Sequence, residues 1–148
     1  MPSWVVVKEV INHCWQAPPM GIFKINTYAA LNQRDKVTGL RVVIRDSYGP
    51  IMVSSCRHIG SCYHSQIVEA LAIFEGCPLS VNLGLLPATV DSDTLSVVQA
   101  IRKKEASSSE VGVIVNDVIY LISQVEIFSA DFVLRLANSV AHGLARLA

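Results

Sequence analysis

Three carboxylates stand where the sequence pattern could give them a chemical role. Glu69 lies in residues 65–74, where apolar residues recur at helical spacing, and it sits near the apolar face of that predicted helix. Asp93 follows a predicted strand and precedes a predicted helix, so it is either a site carboxylate or a helix N-cap. Asp91 alternates onto the same strand face as Asp93 and could be a third carboxylate nearby. Grouped carboxylates are the ligands that hard divalent cations such as Mg²⁺ prefer.

Sulfur and imidazole side chains form no recognisable metal or redox motif. The 4 cysteines include no C-x-x-C pair, and Cys62 with His58 and His64 lacks the further ligands of a zinc site. Cysteines this scattered also make no disulfide framework. We therefore expect reduced thiols and an intracellular, reducing compartment, either the nucleus or the cytoplasm.

Length and composition predict one folded domain. The chain has 148 residues, of which 51% are hydrophobic and 16% charged. Its 12 basic and 12 acidic side chains cancel, which excludes a strongly basic nucleic-acid-binding tail and an acidic tail. No apolar run approaches the roughly 20 residues that span a bilayer, and the N-terminus lacks the basic flank of a signal peptide. We expect a monomer that does not bind membranes.

The apolar patterns alternate between strand and helix periods. Strands are predicted at residues 22–26, 37–45, 51–57, 86–90 and 125–134. Helices are predicted at residues 65–74, 95–104, 111–124 and 138–148. Pro78 is expected to end or kink the first helix, because proline lacks a backbone donor. The element order mixes a hairpin with crossover connections, which predicts an α/β fold with a mixed sheet and flanking helices.

Five blocks of sequence occur in an order that carries a family resemblance. They are Trp15…Pro18-Pro19…Gly21…Lys24-Ile25-Asn26-Thr27-Tyr28-Ala29-Ala30, Arg45-Asp46-x-x-Gly49, Glu69-Ala70-Leu71-Ala72, Asp91-Ser92-Asp93-Thr94-Leu95 and Arg135-x-x-Asn138-x-Val140-Ala141-His142-x-Leu144-Ala145. Together they resemble the plant reverse-transcriptase-like branch of the type 1 ribonuclease H family. The resemblance covers residues 15–148, which leaves residues 1–14 as an N-terminal extension. It implies an RNase H-like fold with a five-stranded mixed sheet whose first three strands are antiparallel.

The resemblance also implies a reaction. Members of this family hydrolyse the RNA of RNA–DNA hybrids with two Mg²⁺ ions about 3.5–4 Å apart, which four acidic positions hold. Carried over residue by residue, these catalytic positions fall on Tyr28, Glu69, Asp93 and His142, which we expect to converge at one end of the sheet. Only Glu69 and Asp93 remain as carboxylate metal ligands. We therefore expect at most one Mg²⁺ or Mn²⁺ ion, weakly bound.

The departures from the family pattern bear on activity. A neutral phenol at Tyr28 cannot balance the charge of two metal ions, and its ring fills space that a metal ion or phosphate needs. Tyr28 is either a partly buried aromatic residue or a ring that stacks on a base. His142 is either a variant ligand or a helix-surface histidine. Arg41 and Val42 occupy positions where the family commonly has glycine, and Phe132 stands where the family tends to have histidine.

The partner that the resemblance implies is nucleic acid, either an RNA–DNA hybrid or RNA. Its contacts are expected from Asn26, Thr27, Thr94, Arg135 and Asn138. Three interpretations remain open: a hybrid nuclease with full or residual activity, a nucleic-acid-binding module that has lost cleavage, and a degenerate structural domain derived from a retroelement or polyprotein.

Overall fold

The β-branched and apolar segments assemble into one five-stranded sheet in the computed structural model, which describes residues 16–32, 37–59, 65–105 and 108–134. The strands are β1 (Phe23–Asn32), β2 (Val37–Arg45), β3 (Ile51–Ile59), β4 (Ala88–Ser92) and β5 (Ile127–Phe132). Their order in the sheet is β3-β2-β1-β4-β5. β1, β2 and β3 pair antiparallel, whereas β4 is parallel to β1 and to β5. The predicted mixed sheet with three antiparallel strands is confirmed.

Three helices connect these strands within the described residues: α1 (Ser65–Asn82), α2 (Leu95–Lys103) and α3 (Glu110–Gln124). α3 begins with a side-chain cap, because the Ser109 hydroxyl accepts a hydrogen bond from the Gly112 amide at 3.0 Å. None of the described helices is long and apolar enough to cross a membrane. The helix predicted at residues 138–148 and the extension at residues 1–14 lie outside the described residues.

All three helices pack against one face of the sheet. Side chains from β1, β2, β4, β5 and each helix share one apolar cluster, whose largest members include Ile25, Ile44, Ile73, Val90, Val97, Val115 and Val118. Gly76 lets α1 approach closely, since a Cβ atom there would lie 3.0 Å from Ile25 Cγ2 and 3.3 Å from Thr27 Cγ2. α1 is therefore held tightly over β1.

Side chains alternate along a strand, so every second residue of β1, β2 and β4 lies on the opposite face of the sheet. We call this the polar face, after its polar members Lys24, Asn26, Tyr28, Arg41, Arg45 and Asp91. Several of these side chains are buried despite their polarity, including Lys24, Asn26, Arg45 and Asp91.

Several predicted boundaries are wrong, each for a tertiary reason. β1 was predicted at residues 22–26 but extends to Asn32, because it pairs with β2 along its whole length. β4 was predicted at residues 86–90 but begins at Ala88 and ends at Ser92, where β1 and β5 supply partners on both sides. The last predicted strand, 125–134, is shorter and spans Ile127–Phe132.

α1 does not end at Pro78 but continues to Asn82. Proline removes one helical hydrogen bond, which normally favours termination. Here buried residues on both sides of the proline, Ile73, Cys77 and Ser80, hold the helix against the interior. Packing therefore outweighs the local cost.

Candidate functional site

Tyr28 and Asp93 stand at the same level of the sheet. Asn26 on β1 is the partner of Asp91 on the parallel strand β4. Tyr28 lies two residues beyond Asn26, and Asp93 lies two residues beyond Asp91, just after the end of β4 at Ser92. Tyr28 therefore lies inside β1, which continues to Asn32, beside the point where β4 ends and Asp93 follows. Both side chains are half-buried.

Glu69 lies in the second turn of α1, next to residues that pack near Tyr28. Its neighbour Val68 packs with Leu40 and Ala72 in a small apolar cluster, and Ala29, the residue after Tyr28, packs against that cluster. Glu69 is only 6% exposed. Its carboxylate is thus largely desolvated, on a part of α1 that packs near Ala29 of β1.

The starts of α1 and α2 are joined by a side-chain hydrogen bond. Gln66 Nε2 donates to Ser96 Oγ at 3.0 Å. Glu69 lies one helical turn after Gln66, and Asp93 lies shortly before α2. Three of the four predicted catalytic positions, Tyr28, Glu69 and Asp93, thus stand on elements that meet at one end of the sheet. The fourth, His142, lies outside the described residues.

Asp93 is not the N-cap of α2. The N-cap residue is Thr94, and the Thr94 side chain makes no capping hydrogen bond. The N-cap interpretation of Asp93 is therefore wrong by one residue, and Asp93 stands half-buried between β4 and α2.

Asp91 is committed to a buried ion pair and does not serve as a third site carboxylate. Its Oδ2 lies 3.2 Å from Lys24 Nζ, which also donates to the Gln16 carbonyl at 2.5 Å. Thr27 Oγ1 donates to the Asp91 backbone carbonyl at 3.2 Å. The sequence analysis missed this pair, because no local signal joins a lysine on the first strand to an aspartate on the fourth.

The electrostatics of Asp91 reflect competition between burial and its partners. Burial raises the pKa of the Asp91 carboxyl to about 6, while the nearby Lys24 charge and hydrogen bond oppose this rise. Asp131, the partner of Asp91 on β5, raises the pKa further, and the hydrogen bond with Asn26 lowers it. The carboxyl is therefore a weaker acid than an exposed aspartate despite its lysine partner.

The donor set of the candidate site does not fit two divalent cations. Glu69 and Asp93 contribute carboxylates, whereas Tyr28 contributes a neutral phenol where the resemblance places an acidic residue. Within residues 16–32, 37–59, 65–105 and 108–134, no group of three or more His, Cys, Asp or Glu side chains is arranged to hold a metal ion. Two closely spaced Mg²⁺ ions need more oxygen ligands and negative charge than two carboxylates supply.

Two predicted nucleic-acid contacts are buried. Thr27 is 0% exposed and Asn26 is 4% exposed, so their polar groups act inside the sheet around Asp91 and not at its surface. Thr94 is half-buried at the start of α2. Arg135 and Asn138 lie outside the described residues.

Arg41 is a functional candidate that the sequence analysis noted only as a residue where the family commonly has glycine. It is the cross-strand partner of Tyr28 on β2, and Cys56 on β3 is its partner on the other side. Direct partners in antiparallel strands share a face, with Cβ atoms about 4.5–5.5 Å apart. Arg41 Nη2 donates to Cys56 Sγ at 3.7 Å. A guanidinium group therefore stands beside the phenol of the candidate site.

The sheet order and the helical layer define an RNase H-like fold, and the solved structures that resemble this chain agree. RNase H1 from Halobacterium salinarum has a TM-score of 0.73 and 14% identity, covering 84% of this chain and 94% of its own. The N-terminal RNase H domain of a Mycobacterium tuberculosis protein has a TM-score of 0.68 and 18% identity, covering 84% and 98%. LC11-RNase H1, solved in complex with an RNA/DNA hybrid, has a TM-score of 0.69 and 16% identity, covering 82% and 92%.

A sequence model of a protein family identifies the family. The model described as reverse transcriptase-like matches residues 26–148, which is most of the chain. This chain therefore belongs to the reverse transcriptase-like family of RNase H-like proteins. No curated protein sequence matches it significantly.

Proposed function

We propose that this chain is a nucleic-acid-binding domain of the plant branch of its family, and that its cleavage of RNA–DNA hybrids is weak or lost. Its substrate-like partner is an RNA–DNA hybrid or RNA. One observation carries the proposal: Tyr28 stands on β1 level with Asp93, at the position where the resemblance calls for a metal-bridging carboxylate. The family and the RNase H-like fold support the nucleic-acid partner.

Charge decides the catalytic part of the proposal. Two-metal hydrolysis needs carboxylates that balance two dications while one ion activates water and the other stabilises the leaving oxygen. Glu69 and Asp93 together supply two carboxylates, whereas Tyr28 supplies a phenol where the resemblance places a third. The site would hold at most one Mg²⁺ or Mn²⁺ ion, weakly.

Nucleic-acid binding requires fewer features of the site than cleavage does. Phosphate contacts need local positive charge and hydrogen-bond donors, not a metal pair. The formal net charge of the chain is zero, so binding must come from a local patch near the candidate site and not from the whole surface.

We also propose a monomer in a reducing compartment, the nucleus or the cytoplasm, which the free thiols of Cys56 and Cys77 support.

Two measurements on the same protein test this function. Fluorescence anisotropy with a labelled RNA–DNA hybrid, single-stranded RNA and duplex DNA in EDTA measures binding. Incubation of the hybrid with Mg²⁺ or Mn²⁺ measures cleavage. We expect hybrid or RNA binding with little or no cleavage in either metal. Efficient cleavage would instead show a nuclease, and absent binding to every nucleic acid would show a structural domain; either result overturns the proposal.

A further inference from the structure

Arg41 differs from Lys24, Arg57 and Arg102 in how its charge is balanced. Lys24 pairs with Asp91, Arg57 with Glu75, and Arg102 with Asp131. Each of these cations therefore has a carboxylate partner. In the described part of the chain, the polar contact of Arg41 is the Cys56 sulfur at 3.7 Å, a weak acceptor that neutralises no charge.

The surroundings of Arg41 place this charge in the candidate site. Arg41 lies opposite Tyr28, which stands level with Asp93. The residue is half-buried, so part of it is accessible to solvent. A guanidinium group has five donors in a planar fork, and one contact to sulfur leaves most of them available.

We propose that Arg41 binds a phosphodiester group of the nucleic-acid partner directly, without a metal ion. This inference rests on the proposed function and names one residue that performs it. Where a metal pair would neutralise phosphate charge, this site carries a fixed guanidinium beside a phenol. Arginine binds phosphate through two parallel hydrogen bonds, which gives both charge and orientation. The carboxylates of Glu69 and Asp93 repel phosphate, and the Arg41 charge offsets that repulsion.

The test compares two matched losses of positive charge. Arg41→Gln removes the proposed phosphate contact. Arg57→Gln removes one charge on the neighbouring strand β3, where Arg57 pairs with Leu40 and thus lies on the opposite face of the sheet. Hybrid binding is measured by anisotropy in EDTA over a series of salt concentrations, with thermal unfolding as the check on folding. Arg41→Lys tests whether charge alone is sufficient.

We expect Arg41→Gln to weaken binding about tenfold or more, which is about 1.4 kcal/mol, since charge-assisted hydrogen bonds are among the strongest in proteins. The slope of log affinity against log salt should fall by about one phosphate contact, roughly 0.7–0.9. Arg41→Lys should keep the parent slope and recover part of the affinity. Arg57→Gln should change binding less than threefold. Equal affinity and equal slope for parent and Arg41→Gln would overturn the inference.

A second measurement needs no variant. Phenylglyoxal modifies accessible arginines, and mass spectrometry locates the modified sites in the parent protein. Bound hybrid should slow modification of Arg41 at least several-fold and leave Arg57 unchanged. Unchanged modification of Arg41 under saturating hybrid contradicts the inference even if Arg41→Gln does not fold. If the parent binds no nucleic acid at all, the proposed function itself fails, which is a distinct result from loss of the Arg41 effect alone.

Discussion

The ammonium of Lys24 and the carboxylate of Asp91 lie 3.2 Å apart inside the domain, with 11% and 3% of their side chains exposed. This ion pair joins β1 to β4 just below the level of Tyr28 and Asp93, and Lys24 also holds the Gln16 carbonyl. Burial of two charges costs desolvation free energy, and the attraction between them offsets that cost only while both partners are present. The pair therefore supports the candidate site from beneath.

Removal of one partner should destabilise the domain strongly. Lys24→Met leaves the Asp91 carboxyl buried without its cation, so we expect the free energy of unfolding to fall by about 3 kcal/mol. Urea denaturation monitored by circular dichroism measures the change. The control is Lys103→Met, which removes an exposed lysine near the end of α2 and should stay within about 0.5 kcal/mol of the parent. The double variant Lys24→Met/Asp91→Asn should be more stable than Lys24→Met; a less stable double variant would contradict this account.

Asp91 should also give the domain a distinctive pH dependence. Burial raises its pKa to about 6 in the folded protein, whereas an unfolded aspartate has a pKa of about 3.9. Between these values the unfolded chain has lost the proton that the folded protein retains. The contribution of Asp91 to stability is therefore full below about pH 4 and decreases as the pH rises to 6.

Comparison with Asp91→Asn isolates this contribution. The free energy of unfolding of the parent, minus that of Asp91→Asn, should fall as the pH rises from 4 to 6. Urea denaturation of both proteins at several pH values measures the difference. A difference that stays constant or rises over this range contradicts the raised pKa.

Substitution of Pro78 in α1 should raise the free energy of unfolding. α1 continues four residues past the proline, so the backbone there is helical while one helical hydrogen bond is missing. Pro78→Ala should restore that bond and raise the free energy of unfolding by about 1–3 kcal/mol. Pro50→Ala, at an exposed loop position, should give no gain, because it mainly increases the freedom of the unfolded chain. Equal effects of the two substitutions would show that the helix bears no cost at Pro78.

How far the sequence predicted this fold depends on where each element finds its partners. The pattern over residues 37–45 predicts β2 with the observed bounds, because the segment is rich in β-branched residues and has a turn beside it. β1 and α1 are both longer than predicted. Their extra residues are stabilised by β2 and by the interior of the domain, contacts that a local pattern does not contain.

In the candidate site, too, the sequence predicted some positions, whereas contacts between strands could not be predicted from it. The resemblance places Tyr28, Glu69 and Asp93 on elements that the structure brings together. The partner of Lys24 and the cross-strand position of Arg41 could not be read from the sequence, because both depend on strand register. Burial of Asn26 and Thr27 likewise depends on both neighbouring strands and on α1.

The two described thiols should differ sharply in reactivity. Burial raises the pKa of the Cys77 thiol to about 12, and the residue is 0% exposed, so almost no thiolate forms and reagents do not reach it. Cys56 is exposed on β3. Brief iodoacetamide treatment of the folded protein, read by mass spectrometry, should modify Cys56 at least tenfold faster than Cys77. Similar rates would contradict the packing of α1, and rapid modification of both in urea is the control.

Introducing a carboxylate at position 28 should restore cleavage of RNA–DNA hybrids. Tyr28→Asp supplies the family's bridging acid and removes the ring, so we expect hybrid cleavage in Mg²⁺ to rise about 100-fold or more, since bridging ions stabilise several kcal/mol of transition-state charge. Because Arg41 lies opposite, it should partly neutralise the new carboxylate; Tyr28→Asp/Arg41→Gly should therefore cleave faster than the single variant.

Two further variants are controls for this prediction. Tyr28→Phe should remain inactive, and His142→Asp alone should change little. Mg²⁺ should raise the melting temperature of Tyr28→Asp more than that of the parent.

The most direct test of the central claim is the rate of cleavage of a labelled RNA–DNA hybrid in Mg²⁺ by the parent, Tyr28→Asp and Tyr28→Asp/Arg41→Gly. The three proteins are compared at equal folded concentration and with hybrid binding measured in parallel. The account predicts a parent that binds but scarcely cleaves, and two Tyr28→Asp variants that each cleave about 100-fold faster or more. A parent that cleaves efficiently, or two folded variants that bind hybrid and remain inert, would contradict it.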